Sequence, residues 1–552
     1  MNKKAIVTGS LFVFVCCLVF TAGALINRAS LEALTCDNVF SYQCRQAVAI
    51  LLLFFMGAFF LMMIRDKLSC NWILLFAFPA GICLWVFPSL LLLLLGIPYT
   101  LLNVTLLVAA IMGILLLFLI RRTHKQNDAF RSPAKQTSTD AGAGNSTLTQ
   151  AGFLQSLPML LFFIGATLLA SSGLIYVFVS YDSFFYFTNY GNTLTIVKNF
   201  KDIVGDNSFT LTNISQFLPL LNSYTSFWGL DQCYQMQAFL SIDLIACFFY
   251  GLHQYGKDGP KHRTLFYSAL MTAFLVTATS FLVASTWILA NMYCMAYLFF
   301  AMLLLEDCLL PARREAHILT ALFFAALTLL RKDGIIFVCF FMVYFVLKSD
   351  WSRRDLFCVF LPSVISELWW LFYVRVILKA TVEQAAFTSI ANNANVAFVI
   401  AAISATCLYL FVLHPLFIKR LPFSETWLIY GGLFCLLAIL TIRDWNQVVD
   451  NIDMTIRNMF LYPASWGISG ILFGILLVTT FVYHPFWDVD TFLWAGYVIL
   501  NFISYCAVGK NLWVNWDDSY NRIVLQIIPV FVFICGKKLF SLLQLYRQDH
   551  SS

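Results

Sequence analysis

The sequence predicts an all-α protein that crosses a membrane many times, and three observations predict it. The first is composition: 61% of the 552 residues are hydrophobic and 11% are charged, with a mean hydropathy of +0.82. Soluble domains are roughly 45–50% apolar and about 25% charged. The second is length: uncharged apolar runs near the ~20 residues needed to cross a ~30 Å hydrocarbon core recur from end to end. Lipid offers backbone groups no hydrogen-bond partners, so such runs are helices. The third is the placement of Lys and Arg, which gather in alternate connections as the positive-inside rule requires. The net charge of +6 follows from that bias and implies no nucleic-acid partner.

About sixteen spans are expected, near 5–27, 46–64, 72–96, 101–120, 154–180, 236–254, 265–284, 286–304, 316–330, 335–348, 355–376, 396–414, 425–442, 465–482, 489–508 and 523–545. The apolar stretch of the first is longer than the ~7–15-residue core of a secretory signal, so it reads as a retained helix. With the N-terminus inside, the inner connections hold Arg65 and Lys67, Arg121 to Lys135, Lys257 to Arg263, Arg313 and Arg314, Arg353 and Arg354, and Lys419 and Arg420. The tail carries Lys537, Lys538 and Arg547, which puts both termini in the cytoplasm. One inner connection, "YHPFWDVD", breaks the pattern by being acidic. Residues 121–153 are polar, rich in Ser, Thr, Gly and Ala, and lack hydrophobic periodicity, as a linker does. They divide a four-helix block, 1–120, from a larger module, 154–552.

Most of the 16 cysteines sit in apolar runs and act as small hydrophobes. No His/Cys set has zinc-ligand spacing, so no metal site is assigned. Cys36 and Cys44 fall in a polar stretch, where an oxidising compartment would permit a disulfide.

Polar residues at the expected outer face carry the candidate chemistry. Span five delivers Asp182 to the start of the longest external loop, roughly 181–235. If residues 182–190 are helical, Asp182, Tyr186 and Asn189 form one polar stripe. Two later segments of that loop are too short and polar to span, and should lie along the interface. In "ALTLLRKDGIIFVCFF", Arg331, Lys332 and Asp333 separate two apolar runs of about fifteen residues, each covering only ~22 Å. An uninterrupted helix would bury these charges at roughly 2.5–3.5 kcal/mol each. A tight external hairpin, reversed at Gly334, avoids that cost and lines a recess with two cations. In "GKNLWVNWDDSYNRIVLQIIPVF", Arg522 opens the last span, where the helix dipole disfavours a cation, so an anion or acid should face it. Asp518 and Tyr520 stand beside it. Asp243 and Glu367 lie inside spans, where acids are either functional or packed in structural pairs.

Together these pieces resemble the GT-C superfamily of membrane glycosyltransferases, which take sugar from a polyprenyl-phosphate carrier on the outer face. "YDSFFYFTNYGN" is similar to that family's acid-bearing motif after the first catalytic helix, and "QFLPLLNSYTSFWGL" to its second interfacial helix. "RKDG" is similar to its short K-x-E-G turn, with Asp333 in place of Glu, and "NRIVLQIIP" to its late Arg helix. The resemblance covers roughly 154–552. It implies Asp182 as the base that inverts the anomeric centre in a single displacement. It implies Arg331, Lys332 and Arg522 on the donor phosphate, and Tyr181, Tyr186, Asn189, Asp518 and Tyr520 on the substrates. No second DxD-type motif follows, which leaves a divalent metal open. The acceptor would be a glycan, lipid or protein of the cell envelope, the compartment a bacterial inner membrane with an extracytoplasmic active site. Two other classes compete: an O-antigen polymerase or ligase, and a lipid-linked glycan flippase or other transporter. The first would place its large loop late in the chain, and the second would show repeats, broken helices and a polar tunnel.

Overall fold

Helices form where apolar runs predict them, and the first question is how far each reaches. The computed structural model describes residues 36–64, 68–114, 150–172, 187–203, 211, 215–228, 234–257, 259–286, 290–306, 313–331, 333–348, 351–378, 393–416, 425–462, 465–483, 488–508 and 519–551. The first expected span and nearly all of the linker lie outside them. Among the described residues there is no strand, as expected of an all-α membrane protein. Eight helices there are long and apolar enough to cross a membrane, or up to nine if one bent pair counts as a single span. That is fewer than the sixteen expected. Several expected spans are shorter helices, among them Ala290–Leu304 and Gly334–Lys348. At 15 residues each, these two reach only ~22 Å.

Contacts divide the chain into two units. Unit 1 comprises residues up to Tyr176 together with Phe187–Ile203 and Pro219–Phe239. Its frame is α1 (Cys36–Ile64), α2 (Cys70–Leu94), α3 (Leu101–Ile114) and α4 (Gln150–Ser171). Gly57 and Gly81 let the backbones of α1 and α2 touch. A Cβ on Gly57 would sit 1.8 Å from the Ala77 carbonyl oxygen, and one on Gly81 1.9 Å from that of Leu53. Close backbone approach through small residues is how helices pack without a hydrophobic drive between them. Cys36 and Cys44 both belong to α1, eight residues or ~12 Å apart, beyond disulfide reach. Cys44 is a free thiol.

Two short helices complete unit 1, α5 (Tyr190–Val197) and the part of α6 (Phe217–Phe227) from Pro219 onward. Gly191 allows α5 to lie against the Pro219 carbonyl and Asn222. Tyr224 donates to the Ala49 carbonyl at 2.7 Å, and Tyr99 and Ser223 share a hydrogen bond of 2.5 Å. Burial pushes the Tyr99 hydroxyl up to about 12. The segments expected to lie along the interface are thus pinned to the N-terminal helices.

Unit 2 holds Val177–Tyr186, Val204–Leu218 and everything from Leu240. Its described helices are α7 (Tyr234–Tyr255, from Leu240), α8 (Lys261–Thr277), α9 (Thr279–Thr286), α10 (Ala290–Leu304), α11 (Arg313–Leu330) and α12 (Gly334–Lys348). Then come α13 (Arg353–Phe372), α14 (Asn393–Leu408), α15 (Glu425–Arg443), α16 (Trp445–Ile456), α17 (Ile468–Tyr483), α18 (Val489–Val508), α19 (Ser519–Val524) and α20 (Ile528–Ser551). The core is α10, buried from Asn291 to Leu304. Its Phe299 packs on Phe248 and Phe533, and its Tyr297 and Phe300 on Phe323. Such an all-round apolar helix is a core element, and its shortness fits that role.

The expected span 265–284 is instead a broken pair. α8 and α9 meet at 64° around Ala278, whose backbone is extended. Buried Ser469 accepts a 2.8 Å hydrogen bond from the Thr279 N–H, which the break would otherwise leave unpaired. Irregular backbone at membrane depth persists where protein satisfies it in this way.

Candidate functional site

The α11–α12 hairpin turns in three residues, as the charge pattern required. Gly334 makes the turn possible: its Cα lies so near the α11 backbone that a Cβ would fall 2.0 Å from the Leu327 carbonyl oxygen. Its N–H donates to the Arg331 carbonyl at 2.9 Å, closing the turn. At the tip, Arg331 donates to both Asp333 oxygens, from Nε at 2.7 Å and Nη2 at 3.0 Å. This fork-to-fork pair fixes the guanidinium plane. Burial works against the Arg331 charge, but the adjoining Asp333 carboxylate outweighs it and holds the group above its ordinary value. Among the described residues two of its five guanidinium donors are used.

A polar chain runs inward from this tip. Arg331 stands within electrostatic reach of Cys294 and of the Tyr497 phenol. Tyr497 donates to Gln526 at 3.2 Å, and Gln526 donates to Asn291 at 2.9 Å. These three are buried and come from α18, a 3₁₀ turn (Leu525–Ile527) and α10. On the other side Asp333 lies within reach of Glu367 on α13, which also faces Cys339 on α12. Sequence reading missed Tyr497, Gln526 and Asn291, whose one signal is polarity inside apolar runs.

The other described candidates belong to other elements. Arg522 and Tyr520 lie on α19, which Asn521 anchors by donating to Ser465 at 2.8 Å while accepting from Trp466 Nε1. Arg522 is partly buried. Tyr520 is 3% exposed, stacked on Tyr505 at 5.1 Å and edge-on to Phe502. A ring so enclosed packs the core and offers a substrate no face. Asn189 belongs to unit 1, where its carbonyl accepts from Thr193 at 2.9 Å as α5 begins. Tyr181, Asp182, Tyr186, Lys332 and Asp518 lie outside the described residues. Among the described residues no cluster of three or more His, Cys, Asp or Glu could hold a metal ion.

A second polar cluster stands at the far end of α12, ~22 Å from the hairpin tip. Lys537 bridges Glu306 at 2.8 Å and Asp490 at 3.0 Å. Lys348 contacts the same two acids, with 3.4 Å to Glu306, and Tyr344 donates to Asp490 at 3.1 Å. Lys538 pairs with Asp488 at 2.9 Å and donates to Thr491 at 2.5 Å. Among the described residues three acids face three lysines, so their formal charges balance. The cluster ties the ends of α10, α12 and α18 to the middle of α20. The acids of "YHPFWDVD" that broke the expected charge pattern have a place here: Asp488 and Asp490 are the counter-ions of lysines on neighbouring helices.

Inside unit 2, Asp243 is completely buried, and its Oδ2 has no hydrogen-bond partner. No protein-family model matches the chain, and none of the curated proteins or solved structures compared with it matches either.

Proposed function

We propose that this membrane protein is a glycosyltransferase that takes a sugar from a polyprenyl-phosphate carrier. The observation that carries the reading is the Arg331 guanidinium. It is held rigidly by Asp333 at the tip of a hairpin between short helices. Such a group suits the phosphate that leaves when a glycosyl bond breaks. The order of motifs around Asp182, Arg331 and Arg522 supports the same reading.

In this reaction the acceptor hydroxyl oxygen bonds to the anomeric carbon as the bond from that carbon to the carrier phosphate breaks. The hydroxyl proton passes to Asp182, which acts as base. The electron pair leaves on the carrier phosphate, and Arg331, Lys332 and Arg522 are the cations assigned to offset its charge. One displacement with one base inverts the anomeric centre.

The test is transfer from radiolabelled polyprenyl-phosphate sugars to envelope extract by purified protein in lipid, comparing wild type with Asp182→Asn. Transfer lost in the variant with carrier binding retained supports the reading; equal transfer by both overturns the role of Asp182. A transporter is favoured by two observations, the 64° break between α8 and α9 and the buried Asp243, whose Oδ1 accepts from Cys247 Sγ while its Oδ2 has no hydrogen-bond partner among the described residues. It predicts movement of a lipid-linked glycan between leaflets without any new glycosidic bond.

A further inference from the structure

The corner between α15 and α16 combines features that helix-end chemistry alone does not explain. α15 ends at Arg443, α16 begins at Trp445, and the chain turns at Asp444. Along α16, Trp445, Val449, Ile452 and Ile456 recur at intervals of four, three and four, so they share one face. All four are exposed, Trp445 to 66%, and Ile442 just before the corner is exposed to 87%. The opposite face is bound to the bundle: Gln447 donates to the Cys506 carbonyl, Asn451 contacts the Cys506 sulfur at 3.6 Å, and Val448 is buried. A short helix with one face docked and one apolar face open lies in the plane of a bilayer interface.

Behind this helix is a cavity of about 70 Å³ lined by Leu440, Arg443, Asp444, Gln447, Val448 and Cys506. That is room for several waters, and so for a compact charged group. Two opposite charges stand at its wall. Among the described residues Arg443 makes no hydrogen bond or ion pair. Asp444 uses Oδ1 to accept the Gln447 N–H at 3.0 Å, which leaves Oδ2. The two side chains make no salt bridge with each other.

A cation at the end of α15 and an acid capping α16 are each ordinary. Helix-end preference accounts for the residue types. It does not account for a cation and an acid side by side on a cavity without an ion pair between them, flanked by an exposed apolar stripe. We infer that this corner binds a phospholipid whose headgroup carries both a phosphate and a primary ammonium. The phosphate meets Arg443, the ammonium meets Asp444, and the acyl chains run beside Ile442, Trp445 and Val449. A purely anionic headgroup would satisfy Arg443 but bring its charge against Asp444. The inference does not depend on the proposed transferase activity.

The test is native mass spectrometry of the full-length protein incubated with equal amounts of phosphatidylethanolamine and phosphatidylglycerol. Wild type is expected to retain phosphatidylethanolamine in preference. Arg443→Gln should lower its retention about fivefold, the scale of one exposed ion pair. Asp444→Asn removes the charge but keeps a good helix cap, and should abolish the preference between the lipids while leaving thermal stability unchanged. Equal retention of the two lipids by wild type would overturn the assignment. So would a preference for phosphatidylglycerol, or retention unaffected by both substitutions.

Discussion

The substitution Lys537→Met tests the neutral charge cluster where it is most constrained. Lys537 is 8% exposed and lies 2.8 Å from Glu306 and 3.0 Å from Asp490, which are 5% and 14% exposed. At an effective dielectric constant of ~20, each contact is worth roughly 5–6 kcal/mol of Coulomb attraction. Most of that is offset by the several kcal/mol needed to desolvate each ion. The intact cluster therefore contributes little net stability. Breaking it is another matter, because the thioether would leave Glu306 and Asp490 to share Lys348, one buried negative charge in excess. Removing one partner of a buried pair costs about 3–5 kcal/mol. The control is the double variant Lys537→Met, Glu306→Gln, which restores neutrality around Asp490 and Lys348. It should recover about 1–3 kcal/mol of the loss. The assay is reversible unfolding in mixed micelles against increasing dodecyl sulfate. Additive losses in the double variant would refute the argument, since they would mean that excess charge is not what the single substitution introduces.

Three further outcomes are expected. Gly81→Ala should destabilise unit 1 by about 1–3 kcal/mol or more, because its Cβ would enter the Leu53 carbonyl; Gly165→Ala on α4, with nothing within 4 Å, should be neutral or slightly stabilising in the same unfolding assay. Ser469→Ala should cost about 1–3 kcal/mol by orphaning the Thr279 N–H, and hydrogen exchange should rise at that amide. Asp333→Asn should weaken binding of a polyprenyl phosphate, measured by calorimetry, because it loosens the fork that holds the Arg331 guanidinium; unchanged or stronger binding would refute that positioning role.

Much of this architecture is legible in the sequence, and the failures have physical causes. Hydrophobic runs place helices because burial and spanning both demand apolar residues, which is also why they cannot separate the two. α10 and α12 satisfy the pattern of a span, yet are 15-residue helices of the core. The hairpin at Arg331 is legible because charges in mid-membrane are costly and a glycine follows them. The fork to Asp333 is local, two residues away in the chain. The path through Tyr497, Gln526 and Asn291 joins residues up to 235 positions apart, and no local signal records it. The same holds for the break between α8 and α9, satisfied by a serine 190 residues away. Tyr520, an aromatic beside charged residues at a helix start, reads in sequence as a substrate contact, and its packing against Tyr505 and Phe502 is likewise set by residues distant in the chain.

The pairing of Asp488, Asp490 and Glu306 with Lys348, Lys537 and Lys538 separates two moments in the life of one charge. Orientation is decided while segments enter the bilayer one after another, by lysines and arginines far more than by acids. Lys348 emerges well before Asp490, and meets it 142 residues later in the chain. During insertion it has only Glu306, which precedes it in the chain, among its acid partners. After folding it is paired with Asp490 as well. Substituting the acids should therefore leave every helix correctly oriented and still prevent the bundle from closing.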